Sequence, residues 1–268
     1  MTVTIDKQRC IRCGRCTTDC PLRALSAGED GFPFFSSDGY CVKCGHCEAG
    51  CPEKAVELTD SGFSVSAYPN TPIPDQVAFS NLVRSRRSIR SYESRPVPDT
   101  TIDALFDVVR FAPTASNGQI VEWTLLGRER IEQLSDRCIE IMAASLQAQD
   151  AMSEMLPLGT FLSAHEAGRN PIFYNAPHLA VTHTPSGLPT AMIDSTIALT
   201  HLDLALPTFG LGGCWTGLFY LIASHFPVLY KEIGIPDGNV ITGGLMFGFS
   251  RRKYRRIPKR RTAQLVRV

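Results

Sequence analysis

Apolar and polar residues follow two different patterns along the chain. In residues 1–68 the apolar runs are short, as in TVTID before the first cysteine and PEKAVELT leading into GFSVS, and they predict brief β-strands. Strand, cysteine loop and short helical turn occur in that order twice, which predicts pseudo-twofold symmetry. The proline-rich residues 69–78 then predict an extended linker and a domain boundary.

After the linker, apolar residues recur at helical spacing. They predict one amphipathic helix from about residue 77 and another that begins at Asp99 or Thr100 and is stopped by Pro113. The segment 191–206 is apolar on most faces and predicts a buried central helix, which Pro207 should kink or end early. Strands are predicted at 121–127, 179–184 and 240–249. Because helices and strands mix without a βαβ rhythm, residues 79–268 are expected to form an α+β domain.

Composition adds little to this picture. The chain has 268 residues, is 44% hydrophobic and carries a net charge of +1, so bulk charge indicates no partner. No apolar signal region precedes the first cysteine, and no run reaches the roughly 18 apolar residues that would span a membrane. We expect a cytoplasmic protein with no membrane span and no nucleic-acid partner, since cysteines in metal-ligand motifs imply a reducing compartment.

Eight of the ten cysteines fall in two copies of the pattern C-x2-C-x2-C-x3-C-P. This spacing is typical of ligands to iron–sulfur clusters and predicts two [4Fe-4S] clusters. Zinc ribbons use paired C-x2-C knuckles with a long spacer, and neither they nor disulfide frameworks need a third cysteine or the following proline. The predicted metal ligands are Cys10, Cys13, Cys16, Cys20, Cys41, Cys44, Cys47 and Cys51.

In two-cluster proteins with this spacing, the fourth cysteine of each run crosses to the other cluster. Cys51 should therefore complete the first cluster and Cys20 the second. So small a domain could not fold on its apolar core alone, and we expect the bound clusters to stabilise its fold. The remaining cysteines, Cys138 in a helix and Cys214 in a glycine-rich turn, are interpreted as packing residues.

Three later segments carry recognisable motifs: residues 86–92, RRSIRSY; residues 112–119, APTASNGQ; and residues 210–217, GLGGCWTG. They resemble, in this order, the R-R-S-x-R-x-[FY] opening, the A-P-[ST]-x-x-N-x-Q loop and the G-L-G-x-x-W-x-G stretch of the nitroreductase family of FMN-dependent oxidoreductases. The resemblance covers residues 79–268. It implies a nitroreductase-like domain with a mixed or antiparallel sheet flanked by helices, and an obligate homodimer with FMN in two interface sites.

The same resemblance implies which residues hold FMN. Arginines and a serine suit its phosphate, an asparagine amide suits the pyrimidine edge, and backbone N–H groups near residue 217 would reach the flavin ring. The implied residues are Arg86, Arg87, Ser88, Arg90, Asn117, Gly217, Leu218, Lys259 and Arg261. Each segment also has a plainer interpretation: a solvated basic helix end, a Ser-Asn-Gly turn, and a helix stop at Gly210 and Gly212.

The remaining basic residues of 251–261 have no match in the family, and a solvated face or an acidic redox partner is the better interpretation. The scattered histidines show no metal-ligand spacing. Asp194 and Asp203 are expected to make structural hydrogen bonds or subunit contacts.

Together these features predict an iron–sulfur flavoprotein oxidoreductase. A low-potential donor such as a reduced ferredoxin would fill the clusters, and FMN would pass electrons to a small organic acceptor of the nitroaromatic, quinone or enone class. No side chain need act as a catalytic residue, because the cofactors carry the chemistry. Two alternatives stay open: direct reduction of FMN by NAD(P)H, and a non-enzymatic electron carrier or redox sensor.

Overall fold

The computed structural model describes residues 3–36, 39–59 and 72–268. The chain divides into two compact units. The first contains Met1–Ile73 together with Ala115–Gly118, and the second contains Pro74–Thr114 together with Gln119–Val268. The segment GFSVS and residues 69–71 of the proposed linker lie outside the described residues.

The first unit contains two small antiparallel sheets of two strands each. Its strands are β1 (Val3–Ile5), β2 (Leu25–Ala27), β3 (Pro33–Phe35) and β4 (Val56–Leu58). Strand β1 pairs with β4, and β2 pairs with β3. The two helices, α1 (Arg15–Thr18) and α2 (His46–Ala49), are one turn long. The order of strand, loop and helical turn therefore repeats in the two halves, as the sequence pattern predicts.

The apolar core of this unit is very small. It consists of the buried residues Val3, Leu25, Val56 and Leu58, with three partly buried cysteines packed against them: Cys16, Cys47 and Cys51. A core of this size supplies little hydrophobic stabilisation to the unit.

The second unit contains longer elements. Its helices are α3 (Gln76–Ser85), α4 (Asp99–Val109), α5 (Arg128–Ala148), α6 (Ala151–Met155), α7 (Leu158–Glu166), α8 (Ala191–Ala205), α9 (Gly217–His225) and α10 (Val228–Glu232). Its strands are β5 (Glu122–Gly127), β6 (His178–Pro185), β7 (Gly212–Trp215) and β8 (Asn239–Gly248). The strands form one antiparallel sheet in the order β5-β6-β8-β7.

Helices cover both faces of this sheet. Alternate residues of β6 and β8 belong to two separate apolar clusters, because successive side chains of a strand point to opposite faces. Leu179 and Met246 pack with α5 and α9 in one cluster, whereas Ala180 and Leu245 pack with α4 and α8 in the other. The central strands are consequently buried on both sides.

Several predicted elements are observed near their expected positions, and the α+β fold class is confirmed. Helix α8 ends at Ala205 and passes into a 3₁₀ turn at Leu206–Phe209, which agrees with the effect expected of Pro207. Helix α4 ends at Val109, one turn before Pro113. In the described part of the chain, no helix is both long enough and apolar enough to cross a membrane.

Two expectations are wrong in detail. Helix α8 is not buried all round, since Met192 and Ile193 are 45% and 62% exposed. Cys214 lies in strand β7 and not in a turn, because it pairs with Met246 of β8 and is buried between neighbouring elements.

Candidate functional site

The eight motif cysteines line two cavities in the first unit. The first cavity is lined by Cys10, Cys13, Cys16 and Cys51. The second is lined by the other four, Cys20, Cys41, Cys44 and Cys47. Each cavity therefore combines three cysteines of one run with the fourth cysteine of the other run. The structure thus places the cysteines of each predicted set along one cavity, and their role as cluster ligands stays a prediction.

The cysteine loops have the same unusual backbone conformation in both halves. Arg12 and its counterpart Lys43 have φ of 60° and 56°, and Gly14 and Gly45, which follow two residues later, have φ of 73° and 72°. Left-handed residues of this kind are uncommon outside glycine and mark a tightly wound loop. The winding turns three cysteines of each run toward one cavity.

Backbone amides also point at the crossing cysteines. The N–H of Ala24 donates to Cys20 Sγ, and the N–H of Ala55 donates to Cys51 Sγ, at 3.2 Å in both cases. Hydrogen bonds to sulfur stabilise a thiolate and influence the reduction potential of a cluster bound to it. These contacts and the paired cavities fit cluster ligation.

Burial acts against ionisation of the cysteines that lie deepest. Desolvation raises the pKa of Cys16, and it raises the pKa of Cys47 to about 11. Since thiolates are the metal ligands, binding of iron must displace protons from these groups. The paired cavities thus favour their thiol forms until a cation is bound.

In the second unit, residues 86–90 run beside strand β7. The N–H of Ile89 donates to the carbonyl of Gly213 at 2.9 Å, and the side chain of Ser88 hydrogen-bonds to Cys214. Contact is so close that a Cβ on Gly212 would lie 2.5 Å from Ile89 Cγ1. Glycine at 212 is therefore required for this approach. The first and third of the resembling motifs are in this way brought together.

An ion pair joins this basic segment to helix α8. Arg86 Nη1 lies 3.2 Å from Asp203 Oδ2, and the indole N–H of Trp215 donates to the same oxygen at 3.2 Å. Burial raises the pKa of Asp203, and the neighbouring Arg86 guanidinium opposes that rise. The other carboxylate oxygen, Oδ1, is buried without a hydrogen-bond partner among the described residues.

The other arginines of the segment make different contacts. Arg87 donates to the backbone carbonyls of Arg84, Arg86 and Arg256, the last at 3.1 Å. The guanidinium of Arg90 lies over the ring of Tyr174, 5.7 Å from its centroid. Arg87 thus contacts the C-terminal segment, residues 249–268, at Arg256. Lys259 and Arg261 belong to this segment and are exposed.

Helix α9 offers backbone donors next to Trp215. It begins at Gly217, and the side chain of the N-cap residue, Thr216, makes no capping hydrogen bond to the helix. The N–H groups of the first helical turn, which include those of Gly217 and Leu218, have no partner in the helix's own i to i−4 ladder. Thr216 Oγ1 is also buried without a partner among the described residues. These donors suit an anionic or carbonyl group of a ligand.

Asn117 lies in the segment that groups with the first unit. Its carboxamide donates to the carbonyls of Val42 and Lys43 at 3.2 Å and 3.0 Å. Ser116 and Asn117 have φ of 50° and 53°, in the left-handed region that Asn and Ser-containing turns tolerate. The amide is thus engaged with backbone of the second cysteine loop.

Comparison with known proteins assigns both parts of the chain. Residues 83–249 match the sequence model of the Nitroreductase family, and residues 7–56 match that of a 4Fe-4S dicluster domain. The chain belongs to the nitroreductase family. The predicted family, the predicted N-terminal iron–sulfur domain and the predicted class of enzyme, a nitroreductase-like oxidoreductase, are confirmed.

Individual relatives are distant. Nitroreductase NfnB of Mycolicibacterium smegmatis is 23% identical over 221 residues, which cover 70% of this chain and 89% of the relative. Solved structures of FMN-bound nitroreductases from Bacteroides fragilis and Desulfitobacterium hafniense are both 18% identical, with TM-scores of 0.56 and 0.57. They cover 71% and 70% of this chain and 97% and 98% of their own chains. These structures share the fold of the second unit.

Residues that the sequence interpretation did not assign to the site are Asp203 and Trp215. The signal for Asp203 was an acidic residue between two leucines on an otherwise apolar helix. Such a position predicts a buried polar contact, but the contact itself depends on Arg86, which the fold brings to helix α8 from the start of the unit.

Proposed function

We propose that this nitroreductase-family chain is an iron–sulfur flavoprotein that takes electrons from a low-potential donor through two [4Fe-4S] clusters to FMN. From FMN the electrons pass to a small organic acceptor of the nitroaromatic, quinone or enone class. The observation that carries the proposal is the pair of cavities, each lined by four cysteines, in the same chain as a nitroreductase domain. A nitroreductase domain alone would need no such cavities.

The two clusters would be held by the cysteines that line each cavity. Three features support this assignment: the crossed ligand sets, the N–H groups aimed at two of the sulfurs, and the nearly identical loop backbones. Iron–sulfur clusters transfer single electrons at potentials set by such hydrogen bonds and by solvent exposure. The chain's contribution is to hold the thiolates at fixed positions.

FMN would be held in the second unit. Its phosphate and ring would contact the guanidinium and hydroxyl groups of the 86–90 segment, the first-turn N–H groups of α9, and Lys259 and Arg261. We assign the flavin contacts to Arg86, Arg87, Ser88, Arg90, Gly217, Leu218, Lys259 and Arg261. The flavin contact expected of Asn117 stays a prediction, since its amide donates to the carbonyls of Val42 and Lys43 within the first unit. FMN can accept electrons one at a time and donate them in pairs, which suits a flavin that receives single electrons from iron–sulfur clusters.

A homodimer is part of the proposal. The exposed apolar residues Met192 and Ile193 lie on a face of α8 whose opposite side is buried in the core. A second copy of the chain would cover this face, as large exposed apolar side chains often mark subunit contacts. The reducing conditions that cluster thiolates need support a cytoplasmic location.

NAD(P)H is the alternative electron donor. A solved nitroreductase from Mycobacterium smegmatis, described as FMN-dependent and in complex with NADPH, covers 72% of this chain at 20% identity with a TM-score of 0.53. In that case nicotinamide would reduce FMN directly, and the clusters would export or store electrons. The order of reduction separates the two donors.

The test begins with protein purified without oxygen. We expect about eight iron and eight sulfide atoms per chain, together with bound FMN. Stopped-flow mixing with reduced ferredoxin should bleach the cluster absorbance before the flavin absorbance. Rapid flavin bleaching by NADPH, with later reduction of the clusters, would instead support the nicotinamide route. Markedly fewer irons would contradict the two-cluster assignment.

A further inference from the structure

Asp203 is a buried acid within the basic part of the second unit. It lies on α8, is 6% exposed, and pairs through Oδ2 with both Arg86 and the indole N–H of Trp215. Arg86 belongs to the 86–90 segment and Trp215 to strand β7, so three separate elements converge on one carboxylate. The carboxylate thus fixes the position of the Arg86 guanidinium.

The arrangement is not a fully satisfied structural pair. Oδ1 of Asp203 is buried and accepts no hydrogen bond from the described residues. A buried carboxylate is unfavourable unless it is paired and hydrogen-bonded, and here Arg86 is its cation. Because Oδ1 accepts no hydrogen bond, stabilisation of the fold does not by itself explain why a charged residue occupies position 203.

Asp203 also offsets part of the positive charge of this region. Buried groups nearby respond to both signs: the Cys214 thiol is influenced by Arg90 and Arg86 in one direction and by Asp203 in the other. The buried phenol of Tyr92 is likewise influenced by Arg90 and by Asp203 with opposite sign. The guanidinium groups of Arg86 and Arg90 and the carboxylate of Asp203 therefore influence the same buried groups. Removal of the carboxylate would leave an excess of positive charge there.

We propose that Asp203 is a positioning and charge-balancing residue that sets the reduction potential of the bound flavin through Arg86. The inference rests on the proposed function, in which FMN binds beside residues 86–90. Oxidised FMN takes up two electrons and one proton to give a flavin with one additional negative charge. A neighbouring carboxylate opposes that added charge and lowers the potential, whereas an unpaired guanidinium raises it.

Three variants test this inference in the intact holoprotein: Asp203→Asn, Arg86→Gln and the double variant. The flavin midpoint potential is measured by spectroelectrochemical titration at fixed pH and ionic strength, with dithionite as the electron source. Asp203→Asn should shift the potential upward and Arg86→Gln should shift it downward. The double variant, which removes both charges, should lie between the two and close to the wild type. FMN affinity is measured in parallel from quenching of flavin fluorescence.

The matched control is Asp194→Asn. Asp194 is another buried acid on α8, nine residues before Asp203, and its carboxylate accepts a hydrogen bond from the hydroxyl of Thr190. This variant should leave the flavin potential unchanged. If Asp203→Asn does not fold, the comparison of Arg86→Gln with the double variant still isolates the charge of Asp203, and the double variant should have the higher potential.

The inference is overturned if both single variants shift the potential in the same direction, or if neither shifts it while FMN stays bound. A purely structural role for Asp203 would lower the free energy of unfolding without opposite shifts in potential. Failure of the wild-type protein to bind FMN would contradict the proposed function itself. The two failures are therefore distinguishable.

Discussion

The two units of the chain derive their stability from different sources. The apolar cluster of the first unit contains four buried residues, and eight cysteines line its two cavities. The second has two extensive apolar clusters on the two faces of a sheet. The difference teaches that hydrophobic burial accounts for the second unit but supplies little to the first, which on the proposed function would be organised by the clusters that its cysteines bind. In the second unit, the contacts around residues 86–90 belong to a fold that the apolar clusters already stabilise.

The largest expected effect comes from removal of iron. Oxidation and chelation under denaturant-free conditions should unfold the first unit, because its small apolar core cannot offset the conformational entropy of folding. Limited proteolysis followed by mass spectrometry should show cleavage within residues 3–59 and continued protection of β6 and β8. Cys138→Ala, which alters a buried cysteine of the second unit, is the control and should keep its full iron content.

A first unit that stays protease-resistant after complete loss of iron would break the comparison. It would mean that the apolar residues and the backbone pairing of β1 with β4 suffice for folding. In that case the clusters would not contribute to the stability of the first unit, and the cysteine loops would keep their backbone conformation without ligands.

A large truncation in the second core should act only on the second unit. Phe219 is fully buried, and its ring centroid lies 5.5 Å from that of Phe173. Phe219→Ala should lower the free energy of unfolding by about 3–5 kcal/mol, through lost burial and the cavity that remains. Urea titration followed by tryptophan fluorescence measures it, since both tryptophans, Trp123 and Trp215, belong to this unit.

Val56→Ala is the corresponding change in the first unit, since Val56 is one of the four buried residues of its apolar cluster. It should leave the tryptophan-detected transition of the second unit unchanged. Coupled shifts of that transition by Val56→Ala would show that the two units do not unfold independently.

The units also differ in how much of them the sequence predicts. In the first, the spacing of neighbouring cysteines predicts cluster ligands, and the repeat of the pattern also predicts the exchange of Cys20 and Cys51 between the two ligand sets. In the second, the 3.6-residue spacing of apolar residues predicts α4. Helix α8 and the central strands are predicted by continuous apolar runs, and β6 and β8 are buried on both faces, so their burial shows no alternation. What it could not predict is the pairing of Arg86 with Asp203, since no local pattern links residues of different elements that meet only in the folded sheet.

The placement of Asn117 is a second example. Its motif predicts a flavin contact, whereas its amide donates to the carbonyls of Val42 and Lys43. The left-handed conformation of Ser116 and Asn117 decides where this amide points. Such conformations are set by tertiary contacts, and the Ser-Asn-Gly sequence permits them without specifying them.

A moderate effect is expected where the second unit is most tightly packed. A Cβ at Gly213 would lie 2.5 Å from Leu206 Cδ1 and 2.6 Å from Leu245 Cδ2. Gly213→Ala should therefore lower the free energy of unfolding by about 1–3 kcal/mol, as overpacked cores do. The control is Gly159→Ala in α7, where a Cβ meets nothing within 4 Å. It should be neutral or slightly stabilising, and equal destabilisation by the two changes would contradict the packing argument.

The smallest effect is expected from titration of His183 on β6. Its Nδ1 accepts from Asn239 Nδ2 at 2.8 Å, and its Nε2 contacts Thr124 Oγ1 at 3.1 Å, so the neutral ring is the bonded form. Burial lowers the pKa of His183, although the charge of Glu122 opposes this shift. Between its folded pKa and its unfolded value near 6.5, the unfolded chain binds more protons than the folded chain. Stability is thus fully present above that window and falls as the pH decreases through it.

The measurement is the free energy of unfolding of the second unit as a function of pH, from tryptophan-detected urea titrations. His183→Gln should reduce the loss of stability on acidification without abolishing it, because burial also lowers the pKa of His178. If His183→Gln and the wild type lose the same stability on acidification, the second unit owes its acid sensitivity to other groups, and the polar network at the end of β6 makes no contribution to it.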